Sequence, residues 1–201
     1  MNKLLLCLTA VTCFSLLNVA TADSLSDCMR MKDDKPIEAI PFCKEACNQN
    51  EAAGCSVVGI IYIKTAKNSQ DILKAVPYNE KACNLNEPAA CYNLGLIYTG
   101  KKEYEKADKS YEKACNLNLG KGCLKLGNDY LLTDSRKSLP YSEKACNMNE
   151  AEGCFNVAWI YEKGQRVRQS FQKAKEYYGK SCDLGYAHGC SEYRRLNEKG
   201  Y

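Results

Sequence analysis

The chain has a single histidine, His188, and no Cys-x-x-Cys pair, so the usual nitrogen and sulfur sets that hold zinc are missing. After residue 22 no apolar run approaches the roughly 18 residues that a membrane-crossing helix needs. Charge of one sign is not in excess either. The formal net charge is +4, and it falls to +3 if Lys3 is removed with the first 22 residues. Lys and Glu alternate over short stretches instead of forming a basic block. A balance this close to zero provides no long-range field to draw in nucleic acid. We therefore expect no metal, no cofactor, no nucleic-acid partner and no membrane span.

What is abundant is cysteine, fourteen in 201 residues. Residues 1–22 read as a signal peptide. Lys3 gives the positive start, Leu4 to Val19 is almost wholly apolar, and Ala20-Thr21-Ala22 is a small-x-small cleavage site. Cys7 and Cys13 lie inside it, and Ala10-Val11-Thr12 before Cys13 lacks the leucine and adjacent small residue of a lipidation site. The mature chain is expected to start at Asp23 with twelve cysteines. In an exported protein an even count argues for disulfides.

Ten of the twelve obey one rule. Cys47/Cys55, Cys83/Cys91, Cys115/Cys123, Cys146/Cys154 and Cys182/Cys190 are each eight positions apart, and the first cysteines follow one another at 36, 32, 31 and 36 residues. A period of that size marks stacked two-helix units. On one continuous helix the paired cysteines would stand about 12 Å apart along the axis, beyond the roughly 7 Å that a disulfide can span. The chain must therefore reverse between them. The intervening residues suit a turn: three after each first cysteine come Asn50, Asn86, Asn118, Asn149 and Gly185. Asn exchanging with Gly in one column indicates a left-handed helix cap, and an asparagine ladder is also compatible with a ligand-binding column. Cys28 and Cys43 remain, and pairing them by elimination fastens residues 23–38 to the first unit as an N-terminal cap.

Each first cysteine ends a short helix, as in Glu80 to Cys83, Glu112 to Cys115 and Glu143 to Cys146. Pro41, Pro77 and Pro140 fall six residues earlier, where a helix should start or kink. After each second cysteine a core stripe is expected at i+3, i+4 and i+7: Val58, Leu94, Leu126 and Val157; Gly59, Gly95, Gly127 and Ala158; Tyr62, Tyr98, Tyr130 and Tyr161. The last unit carries Tyr193, Arg194, Arg195 and Asn197 instead, the polar face of a terminal cap. The expectation is all-α: a right-handed α/α solenoid of disulfide-stapled hairpins, with about five repeats over residues 39–201. Each staple closes a short loop worth roughly 2.5 kcal/mol by chain entropy.

Ala158-Trp159-Ile160-Tyr161-Glu162-Lys163-Gly164, followed by Lys173-Ala174-Lys175-Glu176-Tyr177-Tyr178 and Lys180-Ser181-Cys182, resembles a Sel1-like repeat, a relative of the tetratricopeptide hairpin. With cysteines around every turn and an export signal, the chain resembles the Helicobacter cysteine-rich protein family. That resemblance implies a secreted or periplasmic protein of a Gram-negative bacterium. It also implies either a binding module for a peptide, a peptidoglycan fragment or a host protein in the solenoid groove, or a β-lactamase or penicillin-binding hydrolase acting on β-lactams. The residues favour the module. Ser110-Tyr111-Glu112-Lys113 and Ser170-Phe171-Gln172-Lys173 match Ser-x-x-Lys, yet there is no Ser-Asp-Asn, and the nearest triplet to Lys-Thr-Gly is Lys64-Thr65-Ala66. Ser110 also occupies the column of Phe42, Tyr78, Tyr141 and Tyr177, and Lys113 that of Lys81, Lys144 and Lys180. No catalytic residue is assigned. The charged columns Glu80, Glu112, Glu143 and Lys81, Lys113, Lys144 are the candidate polar surface, more simply read as a solvated helix face.

Overall fold

The computed structural model describes residues 24–201; the expected leader, with Cys7 and Cys13, lies outside them. Every regular element among the described residues is helical. They are α1 (residues 24–31), α2 (Pro36–Asn48), α3 (Ala52–Thr65), α4 (Ser69–Ile72) with a 3₁₀ turn at Leu73–Ala75, α5 (Val76–Asn84), α6 (Pro88–Gly100), α7 (Tyr104–Asn116), α8 (Gly120–Leu131), α9 (Ser135–Asn147), α10 (Ala151–Lys163), α11 (Phe171–Asp183) and α12 (Ala187–Glu198). Two compact units are present, one ending at Ala90 and one running from Cys91 to Tyr201.

The reversal after each first cysteine has the same geometry five times. Asn50, Asn86, Asn118 and Asn149 hold φ between 62° and 65°, and Gly185 holds 89°. The following amide donates back across the turn, Glu51 to the Ala46 carbonyl at 3.0 Å, Glu87 to Ala82 at 2.9 Å, Leu119 to Ala114, Glu150 to Ala145 and Tyr186 to Ser181, each at 3.0 Å. This is a Schellman closure, which satisfies carbonyls that a helix end leaves open. The disulfides sit directly against it. Cα separations are 4.5 Å for Cys47–Cys55, 4.7 Å for Cys115–Cys123, and 4.5 Å for both Cys146–Cys154 and Cys182–Cys190. Cys83 and Cys91 are disulfide-bonded too. Cys28 bonds Cys43 at 4.8 Å, tying α1 to α2.

A feature not read from the sequence makes room for the staples. The residue before each second cysteine is Gly54, Ala90, Gly122, Gly153 or Gly189, and the one before each first cysteine is Ala46, Ala82, Ala114, Ala145 or Ser181. A Cβ on Gly54 or Gly153 would lie 2.7 Å from the Ala46 or Ala145 methyl, so the helices touch backbone to methyl there.

The unequal period resides in the connections between hairpins. Three residues, 101–103 and 132–134, join α6 to α7 and α8 to α9, where the period is 32 and 31. The longer intervals contain α4 with its 3₁₀ turn, or the seven-residue connection 164–170. Of the prolines, Pro77 marks a helix start and two others do not. Pro77 lies in the first turn of α5, but Pro41 and Pro140 are inside α2 and α9, which start five residues earlier. The carbonyls they deprive belong to Ile37 and Arg136, both exposed, so water can take the lost bond.

Within each unit the stripe is core: Val58, Leu94, Leu126 and Val157 are at most 5% exposed. Its small column is matched to a partner four residues before the next first cysteine. Gly59 faces Asn79, Gly95 faces Tyr111 and Gly127 faces Ser142, while Ala158 packs with Tyr178. Tyr111 is wholly buried, and a Cβ on Gly95 would strike its ring. The terminal helix α12 buries Leu196 and turns Arg195 back to Glu162 at 2.6 Å and Glu192 at 2.6 Å, so part of its polar face is internally neutralised.

Gly95→Ala is expected to lower stability by about 1–3 kcal/mol through overpacking against Tyr111, measured by denaturant melts under oxidising conditions; an unchanged midpoint would refute the fit. Cys182 and Cys190 are only half-buried, whereas the other ten bonded cysteines are buried. Graded reductant with differential alkylation should therefore open Cys182–Cys190 first.

Candidate functional site

Of the tyrosines that end the core stripes, Tyr98 is buried as expected, and the other three are not core. Tyr62, Tyr130 and Tyr161 are half-buried and meet the aromatic column of the following helix: Tyr62 and Tyr78 have ring centroids 5.7 Å apart, Tyr130 and Tyr141 6.3 Å, and Tyr161 and Tyr177 6.2 Å. Lysines cover these rings. In the first unit Lys44 lies 5.6 Å and 5.5 Å from the Tyr62 and Tyr78 centroids. In the second, Lys137 stands over Tyr130 at 5.5 Å, Lys173 over Tyr161 at 4.7 Å and Lys180 over Tyr177 at 4.6 Å. Lys106, Lys137 and Lys173 each stand nine residues before a first cysteine, as does Lys74. That fixed offset was the available signal, and it lay outside the charge columns singled out from the sequence.

Two open cavities follow from this arrangement in the second unit. One, of about 560 Å³, is lined by Asn116, Tyr130, Arg136, Lys137, Tyr141 and Lys144 among others. Another, of about 510 Å³, uses equivalent positions one repeat later, Tyr161 and Lys173, with Arg168, Gln169 and Ser170 from the connection before α11. Neither lining includes a carboxylate.

Acidic groups lie against the tyrosine hydroxyls. The Tyr130 hydroxyl donates to Asp108 Oδ2 at 2.6 Å and that of Tyr141 to Glu112 Oε1 at 3.3 Å. The bond to Asp108, then burial, pushes the Tyr130 phenol up to about 12, since an anionic phenolate beside a carboxylate is disfavoured. Burial first, then Glu112, raises Tyr141 as well. Lys144 donates from Nζ to Asn116 Oδ1 at 3.4 Å. The columns Glu112 and Lys144 thus do take part, as supports for a tyrosine and an asparagine.

The serines of the two Ser-x-x-Lys matches are committed to backbone. Ser110 Oγ donates to the Lys106 carbonyl at 2.7 Å, and Ser170 caps α11 by accepting from the Lys173 amide at 3.2 Å. Ser110 replaces the aromatic partner of its column, and Tyr98 is met there by Lys101 at 5.8 Å and Lys106 at 5.4 Å. His188 is exposed in the first turn of α12, edge-on to Tyr186 at 5.4 Å. Among the described residues no group of three His, Cys, Asp or Glu side chains is placed to hold a metal ion. The twelve cysteines are all in disulfides.

Residues 113–150 and 151–186 match the Sel1 repeat family, and residues 88–120 match the tetratricopeptide repeat. Among solved structures the chain is similar to Helicobacter pylori cysteine-rich protein B at 31% identity, covering 63% of this chain and 97% of that one with a TM-score of 0.50. It shares its fold with a Sel1 repeat protein from Oxalobacter formigenes at 20% identity, over 90% and 85% of the two chains, with a TM-score of 0.65. It also shares it with a protective antigen of uropathogenic Escherichia coli at 20% identity and a TM-score of 0.69. There it covers 83% of this chain but spans only 38% of that antigen's length. No curated protein matches the sequence. No helix among the described residues is long and apolar enough to cross a membrane.

The raised Tyr130 phenol can be checked by ultraviolet titration. Removing the carboxylate with Asp108→Asn should return one tyrosine from about 12 towards the ordinary value of 10. A folded-state pKa above the unfolded one contributes stability below about 10 that is lost as pH rises towards 12, so the wild-type protein should lose more stability over that window than Asp108→Asn.

Proposed function

Since the chain belongs to the Helicobacter cysteine-rich family of Sel1-like repeat proteins, we propose that it is an exported binding module that holds an extended ligand along its tyrosine and lysine row. The observation that carries this reading is the recurrence of one arrangement, a paired tyrosine under a lysine beside an open cavity, at equivalent positions of successive repeats. A repeated surface suits a ligand that itself extends across repeats, such as a peptide segment, a peptidoglycan strand or a loop of a host protein. Repeat proteins of this fold are interaction modules, and the serines of both Ser-x-x-Lys matches bond backbone atoms.

Export is supported by the leader expected at residues 1–22 and by the use of every later cysteine in a disulfide, which calls for an oxidising compartment such as the periplasm or the exterior. In this reading residues 23–38 cap the array and residues 39–201 form its repeats. The hydrolase alternative rests on family description alone, and the Ser110 hydroxyl is already spent on the Lys106 carbonyl.

Nitrocefin turnover by the oxidised mature protein, compared with Ser110→Ala, separates the two. We expect background rates for both, together with saturable calorimetric binding of a peptide, muropeptide or host ectodomain. Turnover abolished by Ser110→Ala would overturn the module reading.

A further inference from the structure

We infer that the ligand of the second unit is an acidic peptide, bound across the two adjacent cavities by Arg136, Lys137, Lys144, Arg168 and Lys173. The inference rests on the module reading and adds the chemistry of its partner.

Charge is the first argument. The chain as a whole is nearly balanced, but these two cavities collect five cations and no carboxylate. Several lysines elsewhere are paired, Lys74 with Asp71, Lys101 and Lys106 with Glu103, Lys125 with Asp129, and Lys180 with Glu176, while others stand singly on the surface; what sets the two cavities apart is that their unpaired cations converge. Among the described residues Lys137, Lys144, Lys173 and Arg168 form no ion pair, and Arg136 has only a long one to Asp134 at 3.9 Å, an oxygen shared with Arg166. The neighbouring acids Asp108 and Glu112 are turned to the tyrosine hydroxyls. Placing a carboxylate among these cations completes pairs that the protein leaves open, at little desolvation cost on an open surface.

The remaining polar atoms suit a peptide backbone. Asn116 accepts from Lys144 through Oδ1, which orients its amide nitrogen as a donor. Tyr130 and Tyr141 each donate to a carboxylate and keep hydroxyl lone pairs that can accept a backbone N–H. Stacking ligands fit poorly. Single-stranded nucleic acids need open aromatic faces, and sugar rings use the same faces. Here Lys137, Lys173 and Lys180 already cover the rings of Tyr130, Tyr161 and Tyr177. Those lysines stand over the ring faces as charges for a carboxylate, and the tyrosines act as their supports.

The test is fluorescence anisotropy on the full oxidised mature chain, with two fluorescein-labelled glycine-serine peptides that carry either glutamate or glutamine at alternate positions. The glutamate peptide should bind roughly tenfold more tightly, and its affinity should fall as salt rises from low to physiological strength. Lys137→Gln with Lys173→Gln should weaken it by a similar factor with unchanged circular dichroism and melting temperature, while Lys125→Gln, in an ion pair elsewhere, leaves it unaltered. Equal binding of the two peptides would overturn the acidic preference and leave the module reading standing. Binding of a muropeptide or a single-stranded oligonucleotide with no binding of either peptide would also overturn it. If none of these probes binds, the module reading fails as well.

Discussion

Hairpin turns are closed by the disulfides Cys47–Cys55, Cys115–Cys123, Cys146–Cys154 and Cys182–Cys190, and the rest of the structure depends on that closure. A pair of helices of nine to fourteen residues buries little apolar surface, and without a neighbour it gains too little to offset the ordering of its backbone. A bridge eight residues long removes much of the turn's freedom from the unfolded chain and works through the same residues that the Schellman closure already orders. Small residues beside the cysteines complete the device. Gly54, Gly122, Gly153 and Gly189 let the second helix approach closely enough for the sulfurs to meet, with Ala or Ser opposite.

Once the hairpins are rigid, their stacking is specified by a column of small residues against a column of variable size. Gly95 receives a fully buried tyrosine, Gly127 a serine, and Ala158 packs with Tyr178. Near-identical repeats thereby acquire different neighbours, a source of fixed order along the array. At the C-terminal end the same column continues into a polar network in which Tyr178 donates to Glu162 and Arg195 spans Glu162 and Glu192. Burial and then the Glu162 bond hold the Tyr178 phenol protonated far into the alkaline range.

The surface offered to a ligand is a by-product of this stacking. Tyr62, Tyr130 and Tyr161, at the ends of three core stripes, reach the aromatic column of the next helix and are left half-buried at the junction. A lysine from that next helix then covers the ring of Tyr130 and of Tyr161. Ser110 shows how a single change alters the pattern. Without a ring at that position Tyr98 is met by two lysines, and the serine turns its hydroxyl to its own helix.

Period, turn chemistry and stripe were legible in the sequence because each is local: a reversal within nine residues, a left-handed cap and a 3.6-residue repeat involve no distant partner. The bridges followed from the same locality. The depth of Pro41 and Pro140 inside their helices was not legible, since it depends on whether the orphaned carbonyl faces water. Nor was the lysine and tyrosine row. Its ring pairs join one helix to the next, Tyr62 to Tyr78, Tyr130 to Tyr141 and Tyr161 to Tyr177, and their meeting is decided only when hairpins stack. The amino-acid order alone determined the hairpins and their staples. Which cations are left without carboxylates was decided by tertiary packing, because a charge is paired or open according to what lies within a few ångströms of it in space.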